Sequence, residues 1–252
     1  MLPTVKPTKF TYELKEILNS FSKDVNLKVG NEGFERLYKE NIFNKRFSGV
    51  LDTFVDIESV VERITNNIQS SIIVERQLQK EGTTDQSLCE QASKLTSQNK
   101  TDLKTLYVYT KIFLDRYSVF LIWIFAWRGI KNSSITEFYK SLKKYDGLDI
   151  TILKFKECCF GKIEAIDDYI TEYRDKEVVH NGDYHKQKTK WFMNGMNGEI
   201  KYIGGNRSSL TPQEILFLVV EYVDCSSQFC LEFLNTEISP EKKDLEKGLI
   251  SH

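Results

Sequence analysis

Glycine and proline are scarce, at 13 and 4 among 252 residues. An all-β sandwich or a Gly-rich phosphate-cradling fold needs more turn formers than that, so both are disfavoured. No long hydrophobic run is present: the most apolar stretch, 119–127, has nine residues, against the roughly 18–20 that a membrane helix requires. Charge of one sign is also lacking. Lys plus Arg number 35 against 36 acids, a net charge of −1, which excludes a protein that coats a duplex by bulk counterion release. A local basic patch stays compatible with it.

Histidine is limited to His180, His185 and the terminal His252. The five cysteines, Cys89, Cys158, Cys159, Cys225 and Cys230, are odd in number and show no C-x2-C spacing. Adjacent Cys158 and Cys159 are expected on different faces of any helix they share. All five read as small, semi-apolar side chains in a reducing cytosol, with no metal site among them. Residues 1–9 carry two Lys and no apolar core, so no signal peptide is expected. A soluble, cytoplasmic protein without membrane attachment follows as the expectation.

What is present favours helices. Apolar residues make up 40% and aromatics 12%, enough for a sizeable core. Leu14, Ile17, Leu18 and Phe21 recur at helical spacing over 11–21. A polar stretch follows, and then Phe54, Ile57, Val60, Val61, Ile64, Ile68 and Ile72 line one face of a long helix over 50–80 that stops at Gly82. Between 82 and 101 the chain turns to Ser, Thr, Gln, Asn and Lys, which reads as a linker or domain seam. A second long helix is predicted over 102–128, apolar all round in its last two turns. Ser133 or Ser134 can cap a helix carrying Ile135, Phe138, Tyr139 and Leu142. Further helices are predicted from about 152 and from 161 to about 180. Runs at 188–194 and 199–204, joined across Gly195-Met196-Asn197-Gly198, read as a β-hairpin. Thr211-Pro212-Gln213-Glu214 is a capping box with Pro at the first helical position, opening a helix to about 234. The expected fold is therefore mainly α: a helical bundle with a small β-hairpin before the last long helix. Its expected division is an N-terminal helical region over 1–98, a second unit over 99–236 and a charged tail over 237–252.

One stretch, 173–182, carries the chemistry. With Ile166 at zero on a wheel of ~100° per residue, Ile163, Ile170 and Tyr173 share its stripe, while Arg174 falls near +80° and His180 near −40°. Glu177 lies between them. Gly182 is a natural helix stop, which puts His180 at a helix end. There the carbonyl dipoles favour an imidazolium by ~0.3–1 kcal/mol, drawing a group with a free pKa near 6.5 toward neutrality, where it can give and take a proton. Arg174 suits a phosphate, because its planar fork makes two parallel charge-assisted hydrogen bonds. These are the minimum parts for cleaving RNA without a metal. Alternatively, Arg174 could pair with Glu177 or Asp167 on the helix surface, and His180 could simply cap carbonyls.

An Arg, a polar residue directly after it, and a His five residues further on resembles the signature of the HEPN superfamily. Here the residues are Arg174, Asp175 and His180, late in one helix of a helical bundle and followed by another helix. The resemblance covers about 102–234 and implies an endoribonuclease that works without metal or cofactor, in a bacterial toxin or antiviral defence setting. It also implies a homodimer in which two motifs form one composite site, with RNA as substrate and an antitoxin or defence-system component as a further partner. Asp175 then orients the pair. Lys176, Asn181, Tyr184 and Lys186 are the expected substrate contacts, within a basic and aromatic strip that includes Lys188, Lys190 and Trp191.

Two other readings stay open. One is a non-catalytic HEPN-like dimer that binds nucleotide, RNA or protein. The other is a helical scaffold whose 50–80 segment zips against a partner helix. Asp115-Arg116 could support the motif from a facing helix or form a surface pair. His185 is the alternative second proton-transfer group. Gly204-Gly205-Asn206-Arg207 lacks the Walker Lys of a phosphate loop, and Asp167-Asp168 diverge too far on a helix to share a metal.

Overall fold

The computed structural model describes residues 6–29, 42–81, 85–125, 127, 129–131, 133–171, 191–194, 199–202 and 210–237. Six α-helices stand among them: α1 (Pro7–Val29), α2 (Ile42–Glu81), α3 (Gln86–Phe125), α4 (Ile135–Lys144), α5 (Ile150–Ile166) and α6 (Pro212–Glu237). A π-helical turn, Asp167–Thr171, continues α5. Two strands, β1 (Trp191–Asn194) and β2 (Glu199–Tyr202), pair antiparallel with Trp191 opposite Tyr202 and Asn194 opposite Glu199. The residues between them, 195–198, lie outside the described residues, as does the tail from 238.

The long helices α2 and α3 form an antiparallel hairpin. Arg46 lies over the Trp123 ring, Arg116 bonds Thr53, and Arg63 and Asn67 both donate to Asp102, so partner numbers fall along α3 as they rise along α2. The face predicted for 50–80 is buried within this chain: Phe54, Ile57, Val60, Val61, Ile64 and Ile68 are core residues. That face is already occupied, so the picture of a segment waiting to zip against another protein's helix loses its basis. Helix α1 inserts Leu14, Leu18, Phe21 and Val25, all buried. Phe21 meets Phe47 of α2 at 5.9 Å and Phe120 of α3 at 6.0 Å, and Phe10 meets Phe217 of α6 at 6.0 Å. Each such aromatic or leucine side chain contributes about 1.5–3 kcal/mol by leaving water.

Residues 86–100 are helix, where the polar composition suggested a linker. The physical reason is local. No Gly or Pro occurs from 85 to 128, Asp85 caps the start by accepting from Ser87 N and Leu88 N, and Gln86 reaches Glu90 one turn on. Polarity here marks an exposed helix rather than a break, with Leu95 alone buried before residue 103. The boundary expected after residue 98 therefore falls inside α3, and a single hydrophobic cluster takes in side chains from all six helices. Helices α1 and α2 also extend beyond the predicted spans, and the added turns bring Phe10, Val25 and Phe47 into the core.

The remaining caps follow the sequence. Ser134 Oγ accepts from Glu137 N at 3.2 Å to start α4. Asp149 accepts from Thr151 N and Ile152 N to start α5. At α6, Thr211 N donates to Glu214 Oε2 at 2.8 Å while Glu214 N donates to Thr211 Oγ1 at 3.2 Å, a reciprocal capping box. The buried end of α3 is closed by aromatics: Phe125 stacks on Trp127 at 4.4 Å and meets Phe233 at 5.0 Å. Trp127 also meets Phe155 at 5.0 Å and donates its Nε1–H to Thr151 Oγ1 at 2.8 Å. Within the core, the Tyr117 hydroxyl lies 3.0 Å from Ser226 Oγ and 2.9 Å from Ser227 Oγ, tying α3 to α6.

Candidate functional site

Arg174, Asp175, Lys176, His180, Asn181, Tyr184 and Lys186 lie outside the described residues, as do Glu177, His185 and the 204–207 stretch. The structure does describe the helix that leads into them. No break occurs at Gly161: α5 runs continuously from Ile150 to Ile166, so the two helices expected from 152 and from 161 are one. Ile163, Ile166 and Ile170 are fully buried, which matches the predicted stripe.

At Asp167 the α-helix gives way to the π turn. Bonding from i to i+5 widens the turn, so a wheel stepped at ~100° no longer holds across 167–171. Such single π turns inside helical proteins frequently mark functional sites. This one is held by a polar contact: Thr136 Oγ1 on α4 donates to Asp167 Oδ1 at 3.0 Å. Burial pushes the Asp167 carboxyl up from its usual range. The Thr136 bond opposes that shift, the neighbouring Asp168 charge reinforces it, and Lys140 and Lys111 pull it back. Asp167 thus faces α4 through Thr136, with Lys140 and Lys111 as the cations that act on it.

The Asp115-Arg116 pair on α3 divides its work between two joints. Asp115 Oδ1 accepts from Lys111 Nζ at 2.6 Å and from the backbone N of Ile135 at 2.7 Å, so it caps α4 from a distance. Arg116 Nη1 donates to Gly49 O at 2.8 Å and Thr53 Oγ1 at 2.6 Å on α2. These side chains line a cleft of about 450 Å³ together with Arg46, Val119, Phe120 and Ser133. The carboxylate and the two guanidiniums there are engaged in holding α2, α3 and α4 together. The pair therefore supports the scaffold from which the π turn projects.

A second constellation was not legible from spacing. Cys225 Sγ on α6 lies 2.9 Å from Cys158 Sγ and 3.2 Å from Cys159 Sγ on α5. Adjacent residues on a helix diverge by ~100°, and that divergence is why the sequence suggested they part. Here the line along which α6 crosses α5 runs between them, so one sulfur sits in the notch of a V. The signal was tertiary, and no local pattern carries it. Burial pushes the Cys159 thiol far up and the Cys225 thiol to about 11. Cys230 is buried in the core, and Cys89 is exposed on α3.

No family model, curated protein or solved structure matches the chain. Among the described residues, no helix is long and apolar enough to cross a membrane.

Proposed function

We propose that this chain is a HEPN-type endoribonuclease that cleaves RNA without a metal ion, in a cytoplasmic toxin or antiviral defence role. One observation carries the reading: the Arg174-Asp175…His180 signature occurs in a mainly helical bundle, three residues beyond a π turn packed on α3 and α4. Arg174 holds and neutralises the scissile phosphate. His180 takes the 2′-hydroxyl proton, the 2′-oxygen attacks phosphorus, and the P–O5′ bond breaks as a second group protonates the departing 5′-oxygen. The ends are a 2′,3′-cyclic phosphate and a 5′-hydroxyl. One chain supplies one motif His, so the second proton donor is the His180 of another copy in a two-fold dimer. Asp175 orients the Arg and His, and Lys176, Asn181, Tyr184 and Lys186 follow the strand.

The test is cleavage of a mixed RNA pool in EDTA by wild type, His180→Ala and Arg174→Ala. Cyclic-phosphate ends from wild type alone are the expected result. Cleavage that survives both substitutions, or that returns only when Mg2+ is added back, overturns the mechanism. RNA bound equally by wild type and His180→Ala, with turnover in neither, would instead identify a binding-only dimer.

A further inference from the structure

We propose that Cys158, Cys159 and Cys225 form a site for a thiophilic d10 cation, with Zn2+ as its representative, held by three sulfurs and one solvent molecule. The inference does not rest on the RNA reading. The three sulfurs all lie within 4.8 Å of one another, and they come from two helices whose packing is fixed by the core around them. Zn–S bonds of about 2.3 Å at tetrahedral angles set neighbouring sulfurs roughly 3.8 Å apart. From 2.9 and 3.2 Å, the two close pairs reach that spacing by moving outward less than ~1 Å, a change open to side-chain rotation.

The donors differ in exposure in a way that suits a fourth, solvent ligand. Cys159 is buried and Cys225 half-buried, while Cys158 is exposed and opens the cluster on one side. Thiolate ligands select soft cations over Mg2+ or Ca2+. On binding, three thiols release three protons and three metal–sulfur bonds form, with no electron transferred. Three thiolates around Zn2+ leave one negative charge, and a bonded Lys–Glu pair flanks the site without offsetting it. Lys162 lies one turn beyond Cys158 on α5 and donates to Glu221 Oε2 at 2.8 Å, one turn before Cys225 on α6.

A disulfide accounts for the arrangement less well. It would use two of the sulfurs and leave the third idle in the notch. A metal ion engages all three sulfurs, which lie within 4.8 Å of one another, and its binding displaces the thiol protons.

Co2+ titrated into the fully reduced, full-length chain tests the site. One equivalent is expected to raise a thiolate-to-cobalt charge-transfer band, bleached by one equivalent of Zn2+. Loss of that band in Cys225→Ser, and in Cys158→Ser, whose exposed position keeps the fold safe, is the supporting result. Cys89→Ser should leave the band unchanged. Absence of a thiolate band in the folded wild-type chain, or a band that persists in both cluster variants, overturns the proposal. RNA cleavage in Cys158→Ser is read separately and is expected to persist, so the two proposals can fail independently.

Discussion

The Asp115 carboxylate on α3 accepts the backbone N–H of Ile135 at 2.7 Å and thereby caps a helix twenty residues further along the chain. The same oxygen accepts from Lys111, whose side chain is itself nearly buried. Replacing Asp115 with Ala should therefore cost more than an ordinary cap, about 1–3 kcal/mol, because a buried ammonium also loses its counter-charge. Asp115→Asn keeps an accepting oxygen and should cost less. Urea unfolding curves of the two variants against wild type check the order.

Phe21 joins α1 to both long helices through Phe47 and Phe120. Phe21→Ala should destabilise the chain by about 3–5 kcal/mol, the range for a buried phenyl ring. By the same packing, a chain beginning at residue 102 should fail to fold, since α1 and α2 bury the faces it would expose. Circular dichroism of that truncation, with its thermal melt, decides whether the N-terminal region is a separate unit.

Asp167 makes stability depend on pH in a direction its burial sets. Its carboxyl titrates above the usual value in the folded chain, so the folded state holds that proton more readily than the unfolded one. Its contribution is thus most favourable in acid and is lost as pH rises through the carboxylate range. Asp167→Asn cannot ionise and still offers Thr136 an oxygen. Relative to wild type, the melting temperature of this variant should be higher near pH 7 than at about pH 3.5. A difference that is the same at both values would mean the carboxyl is not perturbed.

The composite-site reading predicts poisoning. Unlabelled His180→Ala chain, mixed in excess with wild type and allowed to exchange, should lower RNA cleavage more steeply than the wild-type fraction falls. Cleavage strictly proportional to that fraction would mean each chain acts alone, and the partner histidine would have no role.

Local chemistry was legible and non-local chemistry was not. Thr211 and Glu214 sit three apart with Pro212 between them, and their reciprocal bonds could be read from four letters. Ser134 was one of two candidate caps, with Ser133, and the structure selects it. The apolar stripes of α2, α4 and α6 followed from spacing, because each faces one core. Residues 86–100 were misread because composition reports exposure, and an exposed helix and a linker share it. The role of Asp115 depends on an amide twenty residues away, and the cysteine cluster depends on the crossing of α5 over α6, neither of which leaves a trace in spacing. The Arg174 and His180 signature stood out in the sequence, and the structure adds the π turn and the anchored helix that precede it.

The helix α3 begins as a solvent-washed rod and ends enclosed by aromatic rings. Its amides should therefore trade deuterium on very different clocks. Those near Gln86 would exchange through brief local fraying, and those between Tyr117 and Phe125 only when the whole molecule opens. One continuous helix would thus record, from end to end, the passage from local breathing to global unfolding.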